Sequence, residues 1–128
     1  MDQDLPNEKL TGWLRRGFVL NGIIKELKRQ QKRNNSERKY MIEWVLRVCY
    51  EKLEVVSSEI KEVIKHVSNE HNLQSLLFRR YILFESWRDV AQSLFYAEDG
   101  YVGDVKHRKA LSEIRKIVKE KGVTIKYD

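Results

Sequence analysis

A chain of 128 residues, 41% hydrophobic and 34% charged, has room for one helical core of modest size. Gly and Pro together occupy seven positions, which excludes the turn-rich sandwiches and barrels and favours long helices. The net charge of +6 is unevenly placed: residues 1–36 and 104–128 each carry +4, while residues 37–72 and 73–103 each carry −1. Basic ends around a balanced middle point to a polyanionic partner, nucleic acid before membrane surface or acidic protein. The single cysteine, Cys49, excludes an internal disulfide framework and fits a reducing compartment. The N-terminal MDQDLPNEKL is acidic and polar, unlike a secretory or transit signal, and no apolar run nears the ~20 residues of a membrane helix. The expected location is the cytoplasm.

Residues 8–31 read as a first helix. Leu10, Trp13, Leu20, Ile24 and Leu27 recur at helical spacing, with Gly17 filling one small slot in the series. Pro6-Asn7 offers a start. Gly12, Gly17 and Gly22 each cost about 1 kcal/mol relative to Ala inside a helix. They do not share a face, and they fit either the close approach of another helix or a segment less regular than one continuous helix. The stretch Lys28 to Ser36 (KRQQKRNNS) has four cations and no apolar residue. It is the best linker in the chain, with Asn34, Asn35 and Ser36 placed to stop one helix and cap the next.

Residues 37–68 hold the clearest pattern. Ile42, Leu46, Cys49, Leu53, Val56, Ile60, Val63 and Val67 alternate steps of four and three without a break, a heptad stripe. Met41, Trp44, Val45, Val48 and Val55 form a second apolar set. The first half of this helix is therefore expected to be buried on two sides and the second half on one. The stripe fits an intramolecular antiparallel hairpin with the first helix, a dimeric coiled coil, or both in a dimer of hairpins. Glu51, Glu54, Glu59 and Glu62 alternate with lysines and read as a solvated face.

Asn69 to Asn72 interrupts the pattern, and three shorter helices are predicted at about 73–84, 86–95 and 102–120. Ser86-Trp87-Arg88-Asp89 makes a capping box, in which the Ser hydroxyl accepts from the Asp89 amide and the Asp89 carboxylate reaches back. Glu98-Asp99-Gly100 is a turn signal. Gly122 ends the last helix, and VTIKYD is a tail suited to a short strand or to staying mobile.

Function is concentrated between Leu76 and Ile114. The short helix buries Trp87, Val90, Ala91 and Leu94, with Ala91 small where two helices cross. The next helix offers Val102, Val105, Ala110, Leu111 and Ile114 to the core, and Lys106, His107, Arg108 and Lys109 to solvent. One helix steadied on phosphates and another presenting long donors to the major groove is the layout of a helix-turn-helix.

This segment resembles the region-four helix-turn-helix of bacterial sigma factors, especially the phage-encoded late transcription regulators of the ArpU and RinA type. Their C-terminal pattern reads roughly "LRY…SW.EIA..L.YS…V..LH.KAL". The matching residues are Arg80-Tyr81-Ile82, Ser86 to Ala91, Leu94, Tyr96-Ala97, Val102 and Lys109-Ala110-Leu111. The resemblance covers about a third of the chain. Two features depart from it: Phe84-Glu85 stands where the family has a Gly-containing turn, and Glu98 to Lys106 is longer by a residue or two.

The resemblance implies a transcription regulator that reads duplex DNA with the helix beginning near Val102, through Lys106, Arg108 and Lys109 with His107 beside them. Ser86 and Arg88 would hold a phosphate at the preceding helix start. Contact with RNA polymerase is implied as well. The expected organisation is all-α. Residues 1–68 form a helical hairpin for packing and homodimerisation, and residues 69–128 form the DNA-binding module.

A protein-binding mimic of the sigma region, acting on RNA polymerase with little DNA affinity, is the first alternative. Gly103 and Asp104, weak groove readers, favour it. A packaging adaptor like a small terminase subunit is the second, although such proteins generally place the DNA-binding part first. No catalytic residues are expected, since the chain has no Gly-rich phosphate loop, nucleophile elbow or metal-ligand spacing. His66, His71 and His107 lack Cys or carboxylate companions at ligand spacing. Cys49 reads as an apolar filler, and the three tryptophans as core. Neither a cofactor nor a small-molecule substrate is expected, and no membrane partner.

Overall fold

The computed structural model describes residues 6–33, 38–68, 72–123 and 125, and among these all regular structure is helical. The chain is all-α, as its composition predicts. The first predicted helix is divided into α1 (Asn7–Leu14) and α2 (Arg16–Arg33) at Arg15, where ψ of 1° leaves helical geometry. α2 continues through Lys28 to Arg33, so most of the expected linker is helix. Its cations lie at the C-terminal end, where the helix dipole favours positive charge. The expected caps Asn34, Asn35 and Ser36 lie outside the described residues.

α3 (Lys39–Ile64) turns its heptad stripe inward: Ile42, Leu46, Cys49, Ile60 and Val63 are buried, as is Val67 just beyond the helix. α2 and α3 run antiparallel. Lys28 Nζ lies 5.5 Å from the Tyr50 ring centre, and Arg16 pairs with Glu59 at 3.0 Å towards the other end. Ile24 packs with Ile42, Leu46 and Cys49 in a small core edged by Leu27, Val45 and Leu53.

The second apolar set of α3 is not buried as expected. Met41, Trp44 and Val55 are 68%, 63% and 61% exposed. Among the described residues only α2 covers the first half of α3, so one side is buried and the other is left open. Of the tryptophans expected in the core, Trp13 is there and Trp44 is at the surface.

A larger core draws on both sides of residue 68. It joins Leu10, Trp13 and Leu14 of α1 and Ile60, Val63 and Ile64 of α3 to the helices that follow. These are α4 (Leu73–Tyr81), α5 (Trp87–Ser93), α6 (Asp99–Tyr101), a π-helical turn (Val102–Lys106) and α7 (His107–Lys121). Tyr81, Val90, Val102 and Ile114 are among its fully enclosed side chains. Each buried aliphatic side chain contributes roughly 1.5–3 kcal/mol.

Asn69, Glu70 and His71 fall outside the described residues; Asn72 begins the next segment with a left-handed φ of 61°. The loop between α4 and α5 crosses α2 closely. A Cβ on Gly17 would lie 2.9 Å from the Phe84 ring, the close approach for which a glycine suits this helix. Phe84 itself is left-handed, φ 60°, where the resembled family has a Gly-containing turn. Gly122, φ 66°, ends α7, and Val123 donates back to the Val118 carbonyl at 3.1 Å. Val123 and Ile125 pack on the larger core; Thr124 and residues 126–128 are outside the described residues.

Candidate nucleic-acid interface

Ser86 starts α5 as the sequence predicts: its backbone is extended and its hydroxyl accepts from the Asp89 amide at 3.1 Å. Such a cap contributes about 1 kcal/mol. Val90 and Ala91 are buried beneath α5, and Trp87 and Leu94 are partly buried against the same core. The turn that follows is closed by Tyr96 N–H donating to the Ala91 carbonyl at 2.9 Å, and its left-handed residue is Phe95, φ 63°. A glycine would take this conformation freely, whereas an L side chain strains it by about 1–2 kcal/mol. Phe95 is also 95% exposed, so packing returns nothing for the strain. Phe95→Gly is expected to raise stability by about 1 kcal/mol in chemical denaturation. A destabilised variant would mean that the ring has a folded-state contact.

Glu98-Asp99-Gly100, predicted as a turn, instead begins the next helix: Glu98 is extended and Asp99–Tyr101 is already helical. The turn at Val102–Lys106 is π-helical and accommodates one residue more than an α-helical turn. That extra residue rotates the helix faces on its two sides out of step. Val102 is buried before it, and Ala110, Leu111 and Ile114 after it, as predicted. Between them Val105 is 48% exposed and Lys106 only 8%. The two have exchanged the roles that a regular helix would give them. Gly103 lies against Trp87, where a Cβ would sit 3.1 Å from the indole.

Two of the expected DNA-contacting side chains therefore do not face solvent. Lys106 is buried, with its ammonium 5.7 and 5.8 Å from the ring centres of Tyr96 and Tyr101, in cation–π range of both. His107 is partly buried; its Nε2 shares a hydrogen bond with the Tyr81 hydroxyl, and its ring centre lies 4.7 Å from that of Trp87. Burial, and then the Arg80 guanidinium, push the imidazole down to about 4, so it is neutral at pH 7. Burial likewise pushes the Tyr81 hydroxyl up, and it stays protonated. Arg80 is held between aromatic rings, 4.7 Å from Phe18 and 4.6 Å from Trp87, and donates to the Glu85 carbonyl at 2.9 Å.

The other four, Ser86, Arg88, Arg108 and Lys109, are exposed. Two that sequence reasoning missed belong with them. Ser112 and Lys116 continue the row from Arg108 in steps of four, are exposed, and extend it over about 12 Å of helix. That spacing was the available signal. At the head of the row Asp104 pairs with Arg108 at 2.5 Å. Glu98 and Asp99, exposed at the start of α6, add negative charge there. The row thus passes from acidic, with Tyr101 44% exposed among the carboxylates, to basic along α7.

Among the described residues no group of three or more His, Cys, Asp or Glu side chains could hold a metal ion. No described helix is long and apolar enough to cross a membrane. Comparison with protein-family models, with curated proteins and with solved structures gives no match to this chain.

Proposed function

We propose that this chain is a transcription regulator of phage or prophage type that binds duplex DNA through the helix-turn-helix formed by α5 and the α6–α7 segment. The observation that carries the reading is the exposed row Arg108, Lys109, Ser112 and Lys116 on α7, which continues the α6 and π-helical segment packed against α5 across a tight left-handed turn. Long cations at this spacing suit phosphates along a groove. Lys106 and His107 are withdrawn from the expected contact set, because one is enclosed by tyrosines and the other by Tyr81 and Trp87. Arg88, exposed at the start of α5, remains in it.

The carboxylates of Glu98, Asp99 and Asp104 stand where a recognition helix would enter the groove, and they repel phosphate. Affinity should therefore come mainly from backbone contacts, with limited base preference.

The test is duplex binding across a salt series. An Arg108/Lys109/Lys116→Ala variant should show a log–log salt slope shallower by about 3, roughly one unit for each lost phosphate contact. Asp104→Asn should bind more tightly than the parent, since it removes a repulsive charge and releases Arg108. Equal slopes in parent and triple variant would remove the DNA reading.

One set of side chains favours the second reading, docking on RNA polymerase. Phe95, Tyr101 and Val105 are exposed apolar groups beside the acidic start of α6, a surface suited to protein rather than phosphate. That reading gains if polymerase binding survives the triple variant while DNA binding shows no salt dependence.

A further inference from the structure

The hairpin leaves an apolar face without a partner. Val48 lies on the side of α3 away from the small core. Met41 and Trp44 precede it at i−7 and i−4, and Val55 follows at i+7, so the four form one row. The groove beside this row, about 1310 Å³, has Val19 and Leu20 of α2 on one wall and Val48 and Val55 of α3 on the other, and is edged by Glu8, Arg15, Arg16, Glu51, Lys52 and Glu59. Val19 is 63% exposed, and Ile23, one turn further along α2, is 42% exposed. Tyr40, 79% exposed, ends the row.

We infer that this face is the contact between two copies of the chain, packed as antiparallel hairpins about a two-fold axis near Val48. Three observations select a second copy as the occupant. The first is charge. Arg47 and Glu51, both exposed, flank Val48. A two-fold axis at Val48 leaves Glu51 of each chain two residues, about 3 Å, from the level of the other chain's Arg47, within reach of these long side chains.

The second is side-chain pairing. The same axis brings Met41 of one chain to Val55 of the other, and Trp44 to the stem and ammonium of Lys52, a cation–π pairing made twice by the symmetry. The third is area. The exposed parts of these side chains amount to on the order of 600 Å² per protomer, taking about 150–250 Å² for a whole aromatic. That approaches the ~800 Å² each partner supplies in a standard-size interface. The pairing is independent of any DNA contact, which lies on α5 and α7.

The test is sedimentation equilibrium of the full chain over a broad concentration range, with Trp44→Glu beside the parent. The parent should reach twice 15.4 kDa. Trp44→Glu should remain at the monomer mass with unchanged helicity, because Trp44 makes little contact within its own chain. Arg47→Glu and Glu51→Arg should each weaken self-association, and mixing the two should restore it as heterodimers. A parent that stays monomeric throughout overturns the inference, as does a dimer indifferent to Trp44→Glu and to the charge exchange.

Discussion

Acidification from pH 7 to pH 4 is expected to remove about 2–3 kcal/mol of stability through His107 alone, from its shift of more than two pH units at 1.36 kcal/mol each, discounted for partial exposure. The imidazole titrates at about 4 in the folded chain, against an ordinary 6.5. Between those values the unfolded chain binds the extra proton, so stability rises with pH through the window. It is lost as pH falls from about 6.5 towards 4. Above the window His107 is neutral in both states and contributes no slope.

The geometry explains why the proton is unwelcome. The ring is enclosed by Tyr81 and Trp87, with the Arg80 cation nearby. The informative quantity is the difference between the parent and His107→Gln, whose amide still meets the Tyr81 hydroxyl but does not titrate. Urea midpoints measured at steps of pH should converge as pH falls. Parallel curves would show that His107 reaches solvent on protonation.

Leu14→Ala is the second large effect. Leu14 is completely enclosed in the larger core, and truncation of such a leucine costs roughly 2–5 kcal/mol. Against the 5–15 kcal/mol typical of a whole domain, that is enough to unfold a substantial fraction of a marginal chain. The loss should not stay local. α1 packs on α7 and shares its core with α4 and α5, so amide protection at Val90 and Ile114 should fall together with that at Leu10. If denaturation shows a cost under about 1 kcal/mol, or protection is lost at Leu10 alone, α1 is a detachable arm.

The sequence by itself determined what periodicity and end signals can determine. A stripe in steps of three and four carries the inward side of α3 whatever it packs against. A serine three residues before an aspartate caps α5 from local geometry alone, and a glycine after the last apolar residue closes α7. The all-α class follows from the same information.

Tertiary structure decided whatever depends on a neighbour distant in sequence or on one residue of register. Met41 and Trp44 look like core residues by periodicity, but among the described residues the helix covering this half of α3 packs on the stripe of Ile42, Leu46 and Cys49 instead. Lys106 and Val105 exchange places because a π turn takes in one residue more than an α turn, and no periodicity rule states where such a turn will fall. His107 follows that change of register into a slot made by α4 and α5. Phe84 and Phe95 adopt left-handed turns that a sequence reading reserves for glycine. Only the packing around Gly17 supplies a reason for Phe84, and the exposed Phe95 has none within the chain.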